Sequence, residues 1–342
     1  MVDWAYGIKK LYIRVDMNNV IATGHVMRCL AIADLLRQNE IDSVFILADN
    51  NAVDIIAKKG YRYKVLNSTW NSLDGELEIL TDYIRNRDNE ARALLIDTYM
   101  VTEKYLSEIS KYIETIYIDD LNMMIYPVHK IICYAYYWEK FRHVERYEKA
   151  FKEKKICQVP LFYFGPRYAP LRLEFYNLTP HHIKEKIDSI LIMSGGTDQY
   201  HVIDRLLANI DVLKYQSIYI ICGKYSMDFE MLKLKYSLCK NIYIYKNVEN
   251  IIDYMMKSDL AISAGGTTLY ELCAVGLPTI SYSIADNQLD NVKKFHEEEI
   301  IEYLGDMREK NVEKSLATVI NRYTYINRTK RSKLMRKLME FE

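Results

Sequence analysis

One stretch of the sequence, residues 11–37, constrains the fold most, because it predicts a strand, a loop and a helix in direct succession. The run LYIRVD is rich in β-forming residues and ends at Asp16, and the loop after it ends at Gly24. From His25 onward the apolar residues recur at helical spacing, at Val26, Leu30, Ala33 and Leu36. A loop between a strand and a helix lies at the carboxyl edge of an open sheet, where α/β proteins bind ligands.

A single histidine, His25, falls in the first turn of the predicted helix. The positive end of the helix dipole disfavours an imidazolium there, so we expect a neutral imidazole that can accept a proton near pH 7. A histidine in this position can equally well do no more than satisfy a backbone carbonyl. The local sequence leaves both interpretations open.

Strands alternate with helical segments along the chain, which predicts α/β domains with parallel sheets. A length of 342 residues favours two domains. We assign residues 1–155 to a first Rossmann-like domain and residues 156–342 to a second, facing each other across a cleft, with the last helix able to pack back on the first domain. We interpret residues 1–10 as a frayed lead-in, residues 134–156 as a solvated connection and residues 161–176 as a loop that crosses between the domains.

Composition and missing motifs exclude several classes of function. Lysine plus arginine equals aspartate plus glutamate at 46 each, which gives no general attraction to nucleic acid or membrane. The six cysteines lack Cys-x-x-Cys or zinc-type spacing, so we expect reduced, mostly buried thiols in a cytoplasmic protein. We find no signal peptide, and no apolar run approaches the roughly 18 residues of a membrane helix. Neither Gly-x-Gly-x-x-Gly nor a P-loop motif occurs, which argues against a classical dinucleotide site.

Two glycine pairs follow predicted strands of the second domain. They are Gly195-Gly196-Thr197, after the strand at 189–193, and Gly265-Gly266-Thr267-Thr268, after the strand at 260–263. Glycine lets a ligand approach the backbone closely, and exposed amides at a helix start favour an anion such as a diphosphate. An ordinary tight turn would use the same residues, so each pair alone is a weak signal.

The second glycine pair also has a local explanation. Thr268 and Glu271 have the spacing of a capping box, in which Thr268 caps the helix and the carboxylate reaches back to its amide. Alternatively, Glu271 accepts hydrogen bonds from both hydroxyls of a ribose. On spacing alone we favour the capping box. Gly276 and Pro278 are predicted to end this helix.

Other polar residues lie near predicted strand ends. Asn287 and Gln288 offer uncharged donors and acceptors, as sugar recognition needs, although a polar turn ahead of a helix would use the same residues. In the first domain the polar residues at strand ends are Asp97, Tyr99, Asp119 and Asp120. These carboxylates could bind substrate hydroxyls or hold the histidine in one tautomer. No Asp-x-Asp occurs, so we expect no metal ion, and a leaving diphosphate would depend on helix N-termini.

Taken together, the motifs resemble a known family. The landmarks along residues 10–300 are Arg14 and Asp16 with IATGHVMRC, then IDTY, IDD, GPRYAPLRLEF, SGGTD, SAGGTTLYELCAVGLP and ADNQ. With them the chain resembles the UDP-sugar hydrolases of pseudaminic acid biosynthesis, which act on a UDP-linked diacetamido-trideoxy-altropyranose. It is also similar to spore-coat polysaccharide proteins and, more distantly, to MurG-type glycosyltransferases, which have the two-domain GT-B fold.

The resemblance implies roles for the matched positions. His25 would be the general base that activates water, with Tyr99 beside the reacting centre. Substrate-binding positions in the first domain would be Arg14, Asp16, Gly24 and Asp97. Gly195, Gly196, Thr197, Gly265, Gly266, Thr267 and Thr268 would line the diphosphate site, Glu271 would take the ribose hydroxyls, and Asn287 and Gln288 would contact sugar or phosphate. The resemblance implies a UDP-sugar substrate, no cofactor, and association with other polysaccharide-biosynthesis enzymes.

One position departs from the family pattern. The family has glycine where this chain has Ala22, and a methyl group there restricts the loop to negative φ or displaces it. Our main hypothesis is an inverting, metal-independent hydrolase that releases UDP from an amino or deoxy sugar destined for nonulosonic acid or surface polysaccharide synthesis. The alternatives are a GT-B glycosyltransferase that uses a UDP-sugar donor and a non-catalytic protein that binds a nucleotide sugar.

Overall fold

The computed structural model describes residues 2–86 and 91–339, and the chain divides into two compact units, Met1–Leu173 and Glu174–Glu342. Each unit contains one open sheet of parallel strands, as the alternation of strands and helices predicts. The division falls after residues 156–173, which the sequence pattern assigns to the second domain. Those residues belong to the first unit because the strand within them pairs into its sheet.

The first unit is built on a seven-stranded sheet. Its strands are β1 (Lys10–Val15), β2 (Asp42–Leu47), β3 (Arg62–Val65), β4 (Ala93–Asp97), β5 (Glu114–Ile118), β6 (Lys130–Cys133) and β7 (Leu161–Phe164). Its helices are α1 (Gly24–Gln38), α2 (Val53–Lys58), α3 (Leu77–Asn86), α4 (Glu103–Ile109) and α5 (His143–Lys152). The strand order is β3-β2-β1-β4-β5-β6-β7, so it reverses between β1 and β4. In an open α/β sheet such a reversal marks the crevice where ligands bind.

The second unit repeats this arrangement with six strands. They are β8 (Ser189–Met193), β9 (Ser217–Cys222), β10 (Ile242–Lys246), β11 (Leu260–Ala264), β12 (Thr279–Ser283) and β13 (Glu302–Asp306). Its helices are α6 (Val202–Leu207), α7 (Phe229–Lys235), α8 (Ile252–Lys257), α9 (Thr268–Val275), α10 (Asp286–Glu297), α11 (Leu316–Arg322) and α12 (Tyr325–Leu338). The order β10-β9-β8-β11-β12-β13 reverses between β8 and β11. Each unit therefore has the strand order of a Rossmann fold.

The helix α1 confirms the spacing on which the prediction of the first unit depends. Its predicted inner residues Val26, Leu30, Ala33 and Leu36 are all buried. All six residues of β1 are buried too, which is typical of a central parallel strand covered on both faces. The strand–loop–helix unit is therefore anchored on both sides of its loop.

Three segments predicted as connections are ordered parts of the first unit. Trp4 in the supposed lead-in is buried, and its carbonyl accepts a hydrogen bond of 2.9 Å from Nζ of Lys130. Residues 134–156 contain α5, which buries His143 and Tyr147. The segment expected to cross between domains begins with β7. The first two predictions were wrong because charges in these segments obscure the apolar residues that pack into the unit. The third was incomplete, because residues 161–164 pair into the sheet and the two units divide later in the same segment, after Leu173.

In the second unit, α9 ends at Gly276, as predicted. Gly276 has φ +75°, and its amide bonds to the carbonyls of Leu272 and Cys273. Its own carbonyl accepts a hydrogen bond of 2.6 Å from Oγ of Ser332, which packs α12 on α9. All six cysteines are free, and four of them are buried, as expected. Within residues 2–86 and 91–339, no helix combines the length and apolar character needed to cross a bilayer.

Candidate active site

The loop that leads to His25 is shaped by a side chain of its own. Oδ1 of Asn18 accepts hydrogen bonds from the amides of Val20, at 2.8 Å, and Ile21, at 3.0 Å, which forms an Asx-type turn. Ala22 then has φ +56°, in the left-handed region that favours glycine. The methyl group therefore does not restrict the loop to negative φ, and the loop keeps a glycine-like backbone at a cost of about 1 kcal/mol.

His25 lies in the first turn of α1, beside the carboxyl end of β4. Its Nδ1 is 2.8 Å from Oδ1 of Asp97, the last residue of that strand. The Asp97 side chain is 0% exposed and the His25 side chain is 12% exposed. Burial raises the pKa of Asp97, but the charges of Arg28 and His25 outweigh burial and hold this pKa well below its usual range. An ionised carboxylate therefore supports an imidazole that reaches solvent, the arrangement of a histidine base.

Arg28, for which the sequence predicts no role, joins these groups. Its Nε donates to Oδ2 of Asp97 at 2.6 Å, and its Nη2 donates to Oδ1 of the same carboxylate. Its Nη1 donates to Oδ2 of Asp120 at 2.8 Å and to the hydroxyl of Tyr134 at 2.6 Å. The sequence does contain a signal for this role. An arginine three residues after His25 lies on the same face of the helix, within an otherwise apolar run.

Tyr99 completes the group around His25. The two rings meet edge to face with centroids 4.7 Å apart, and the hydroxyl donates to Oδ2 of Asp120 at 2.9 Å. Burial, with the charge of Asp120, raises the pKa of Tyr99, so its hydroxyl stays protonated and serves as a donor. Asp119 contacts a different partner, since its Oδ2 is 2.8 Å from Nε2 of buried His143. The structure thus brings three of the four polar residues at these strand ends to His25.

Arg14 and Asp16 belong to a separate buried network. Arg14 donates to both carboxylate oxygens of Glu76, at 2.6 and 2.9 Å, and to Oδ2 of Asp16 at 2.5 Å. Oδ1 of Asp16 accepts the amide of Ala48 at 2.7 Å. Arg14 and Glu76 are both 0% exposed, so their ion pair stabilises the end of β1. The substrate contacts of Arg14 and Asp16 stay predictions. Gly24, by contrast, is exposed at the start of α1.

Both glycine turns of the second unit lie at the same edge of its sheet. They follow β8 and β11, which are paired neighbours with Met193 opposite Ser263. The strand order reverses between these two strands. The two turns predicted to line the diphosphate site are therefore adjacent, at the topological switch point of the second sheet.

The first glycine turn is followed by an aspartate of the chain itself. Oδ1 of Asp198 accepts the amide of Val202 at 2.8 Å, and Oδ2 accepts the amide of Ile203 at 3.3 Å. These are the first two residues of α6, so a carboxylate already occupies the N-terminus of that helix. A ligand at residues 195–197 could therefore contact only the groups of that turn, because Asp198 already binds the first amides of α6.

The second glycine turn leads into α9 without a side-chain cap. The N-cap residue is Thr267, which has a helical conformation and whose side chain makes no capping hydrogen bond. The predicted capping box at Thr268 and Glu271 is therefore wrong. Its physical reason is that Thr268 already lies inside the helix, where its backbone cannot take the extended conformation of a cap. The side chain of the N-cap residue Thr267 therefore does not compete with an anionic ligand at the start of α9.

The two glycines of this turn differ in their surroundings. A Cβ at Gly265 would overlap Cγ1 of Val292 in α10, so packing alone requires glycine there. A Cβ at Gly266 would meet nothing closer than Nε2 of Gln288, at 4.0 Å. Oε1 of Gln288 accepts the amide of Ile284 at 3.0 Å. The structure therefore brings Gln288 to Gly266, and its contact with sugar or phosphate stays a prediction.

Glu271 and Asn287 lie in the first turns of α9 and α10, respectively. Glu271 is 8% exposed, whereas Asn287 is exposed. The ADNQ motif forms the start of α10, with Ala285 as its N-cap residue. The alternative interpretation had been a polar turn ahead of the helix. The ligand contacts of both residues remain predictions. In the described part of the chain, no group of three or more His, Cys, Asp or Glu side chains is arranged to hold a metal ion.

Comparison with known proteins agrees with this architecture. Residues 189–340 match the glycosyltransferase family 28 C-terminal domain. The chain is 25% identical over 283 residues to an uncharacterized protein of Methanocaldococcus jannaschii, a match that spans 79% of this chain and 55% of that protein. The chain therefore spans about half the length of this relative.

Two relatives with a named function match shorter stretches. One is the UDP-N-acetylglucosamine–N-acetylmuramyl-(pentapeptide) pyrophosphoryl-undecaprenol N-acetylglucosamine transferase of Campylobacter fetus, 35% identical over 133 residues, or 36% of this chain and 38% of that protein. The other is the spore coat polysaccharide biosynthesis protein SpsG of Bacillus subtilis, 26% identical over 137 residues, or 39% of this chain and 40% of that protein.

Solved structures match over nearly the whole chain. MurG of Acinetobacter baumannii has a TM-score of 0.59 at 13% identity and covers 97% of this chain and 95% of its own. Arabidopsis thaliana UGT89C1, solved with UDP-L-rhamnose, has a TM-score of 0.64 at 11% identity, with 97% and 94% covered. At such identities the likeness concerns the fold. The chain has a GT-B-like fold, and residues 189–340, within the second unit, match the glycosyltransferase family 28 C-terminal domain.

Proposed function

We propose that this protein is an enzyme that hydrolyses a UDP-linked amino or deoxy sugar at the bond between the anomeric carbon and the diphosphate oxygen. One observation carries the proposal: a partly exposed His25 lies 2.8 Å from an ionised, buried Asp97 at the switch point of the first sheet. Such a pair is the usual means of holding a histidine as a general base. The match of residues 189–340 to a glycosyltransferase domain supports a nucleotide sugar as the substrate class.

In the proposed reaction His25 takes a proton from water as the water oxygen bonds to the anomeric carbon. The bond from that carbon to the diphosphate oxygen breaks, UDP leaves with the bonding electrons, and the configuration at the carbon inverts. Asp97 stabilises the imidazolium that forms. General-base catalysis of this kind contributes about 10²–10⁴-fold to the rate.

The second unit would supply the nucleotide site. The turn at residues 265–268 leads into α9 without a side-chain cap, which supports binding of the diphosphate at that helix start. Backbone amides placed there would also stabilise the charge that develops on the leaving UDP. Glu271, in the first turn of α9, would accept the ribose hydroxyls. We propose that the reaction needs no metal ion and serves nonulosonic acid or surface polysaccharide synthesis.

A panel of UDP-sugars tests the proposal directly. Each donor is incubated with the enzyme and scored for free UDP, and NMR identifies the first anomer released. We expect one amino or deoxy sugar to give stoichiometric UDP and the inverted anomer. His25→Asn should lower kcat by about 10²–10⁴-fold and leave UDP affinity nearly unchanged. Retention of configuration, or equal losses of rate and UDP affinity in His25→Asn, would contradict the assignment of His25.

A second candidate is glycosyl transfer, in which an acceptor hydroxyl replaces water. The specific support is the 35% identity of a 133-residue stretch to a protein named as an N-acetylglucosamine transferase. Incubation of donor and enzyme without acceptor separates the two reactions. Rapid UDP release supports hydrolysis, whereas release that begins only after a sugar or lipid acceptor is added supports transfer. UDP binding without turnover of any donor would revive the non-catalytic alternative.

A further inference from the structure

Arg28 lies where two carboxylates and the histidine base meet. It is 6% exposed, and its donors contact Asp97, Asp120 and the hydroxyl of Tyr134. Its Nη2 also lies 3.0 Å from Nδ1 of His25. A single buried guanidinium therefore fixes the residues that surround the base.

The two neighbours of Nδ1 make opposite demands on the imidazole. Oδ1 of Asp97, at 2.8 Å, can only accept a hydrogen bond, whereas Nη2 of Arg28, at 3.0 Å, can only donate one. If Nδ1 carried no proton, its lone pair would face the carboxylate oxygen. Because Nη2 already donates to that same oxygen, the arrangement that satisfies all three groups has the proton on Nδ1. The ring then accepts a proton at Nε2.

We infer that Arg28 is a positioning residue that clamps Asp97, so that neutral His25 carries its proton on Nδ1 and accepts a proton at Nε2. This inference rests on the proposed function, in which His25 is the base. It adds a residue that selects the reacting nitrogen.

The charges around His25 predict a second effect of Arg28. The ring is faced by Asp97 from β4, Arg28 from its own helix and Tyr99 from the loop after β4, and Asp120 is bonded to both Arg28 and Tyr99. The guanidinium of Arg28 is the positive charge beside the ring, and its removal would leave the charges of Asp97 and Asp120 unopposed. Without Arg28 the base would stay protonated to a higher pH and would lose activity at neutral pH.

The tautomer can be measured without any substrate. Ring-¹⁵N-labelled protein is studied by long-range proton–nitrogen NMR, and the spectrum of His25→Asn identifies the signals of His25 among the seven histidines. We expect a protonated Nδ1 and an unprotonated Nε2 in the wild-type protein at a pH where the ring is neutral. The opposite tautomer would overturn the inference. Because no turnover is needed, this result is independent of the proposed function.

Variants of Arg28 test the clamp in the working enzyme. In Arg28→Gln we expect the acidic limb of the kcat profile to move up by about one pH unit or more, with the loss of rate recovered at high pH and KM little changed. Arg28→Lys keeps the charge but reaches one carboxylate at a time, so it should keep the acidic limb in place and lower kcat. An unmoved limb in Arg28→Gln would overturn the inference.

Arg37 provides a matched control on the same helix. Its guanidinium stacks on Tyr61 and bonds to the carbonyl of Lys59, away from the histidine. Arg37→Gln should leave the tautomer, the kcat profile and KM as in the wild type. If Arg28→Gln does not fold, the tautomer of the wild-type protein and the kcat profile of Arg28→Lys still test the inference. If the acidic limb of Arg28→Lys moves as far as the limb of Arg28→Gln, the result also counts against the clamp.

Discussion

The two sheets share one strand order but present opposite chemistry at the edge where ligands bind. At the edge of the first sheet, charged side chains form one network, in which His25, Asp97, Arg28 and Asp120 are joined by hydrogen bonds of 2.6–2.8 Å. At the edge of the second sheet, the two glycine turns lie side by side after β8 and β11, and α9 starts without a side-chain cap. In the function we propose, the first edge would move a proton and the second would hold an anion by its backbone amides.

The same strand order therefore sets the position of a candidate site but not its chemistry. In both units the strand order reverses beside the first strand, at β1 and β4 or at β8 and β11. Buried side-chain charges need partners, so the first edge depends on a network that one substitution disturbs widely. A backbone site depends instead on which residues leave room for a ligand. Substitutions at the two edges should therefore separate rate from nucleotide affinity.

The largest effect is expected from Asp97→Asn. An amide can turn its NH₂ toward Nδ1 and no longer stabilises an imidazolium, so we expect kcat to fall by about 10²–10⁴-fold. UDP affinity, which we assign to the second unit, should stay within about twofold, a change of roughly 0.4 kcal/mol. Steady-state kinetics and calorimetric titration with UDP measure the two quantities. Equal losses of kcat and of UDP affinity would contradict the assignment of catalysis to the first unit and of UDP binding to the second.

The same carboxylate should make stability depend on pH. Because its pKa is held below the usual value of about 3.9, ionised Asp97 stabilises the folded state above that pH, and this contribution declines as the pH falls further. Denaturant unfolding of the wild type and of Asp97→Asn, from pH 7 down to pH 3, tests the sign. The difference in unfolding free energy between the two proteins should shrink as the pH falls, and a difference that grows would refute the assignment.

The two glycines of the second turn should respond differently to a methyl group. Gly266→Ala has room for its Cβ, so we expect normal folding but UDP affinity lower by about tenfold, or about 1.4 kcal/mol. Gly265→Ala would overlap Val292 and should destabilise the fold by about 1–3 kcal/mol. Thermal unfolding and UDP titration of both variants separate the outcomes. Unchanged affinity in Gly266→Ala would argue against a diphosphate at this turn.

A smaller effect is expected from Tyr99→Phe. The change removes the hydrogen bond of 2.9 Å to Asp120 but keeps the ring that packs on His25. Because a hydrogen bond of this kind contributes about 0.5–1.5 kcal/mol, kcat should fall by no more than about tenfold. Tyr99→Leu, which also removes the ring, is the comparison. A loss in Tyr99→Phe as large as that of Asp97→Asn would mean that the hydroxyl takes part in the chemistry.

The smallest effect concerns the loop before His25. Ala22 has φ +56°, so Ala22→Gly should relieve strain and raise the free energy of unfolding by about 1 kcal/mol. We expect the kinetic constants to stay the same, because the backbone is already glycine-like. Denaturant unfolding and kcat measure the two effects. A large change in kcat would show that the methyl group adjusts the position of the base.

Much of the fold could be predicted because periodicity is a local property. The β-forming run in β1 and the helical spacing of residues 26–36 in α1 are both found in the structure, since central strands and buried helix faces are mostly apolar. The helix α5 was missed because its exposed charges outnumber the buried His143, Tyr147 and Ala150. The capping box failed because the spacing of Thr268 and Glu271 does not determine the backbone angles at which a helix starts.

Two parallel α/β units, the histidine at the start of α1 and the glycine turns after β8 and β11 can be read from the sequence, because these features depend on neighbours within a few residues. The three-dimensional fold was needed to show that Arg28 joins Asp97 to Asp120 and that Arg14 is buried against Glu76. Each arginine lies 62 to 92 positions along the chain from these carboxylates. Partners so far apart are chosen by the order of strands in the sheet, which brings their ends to one edge.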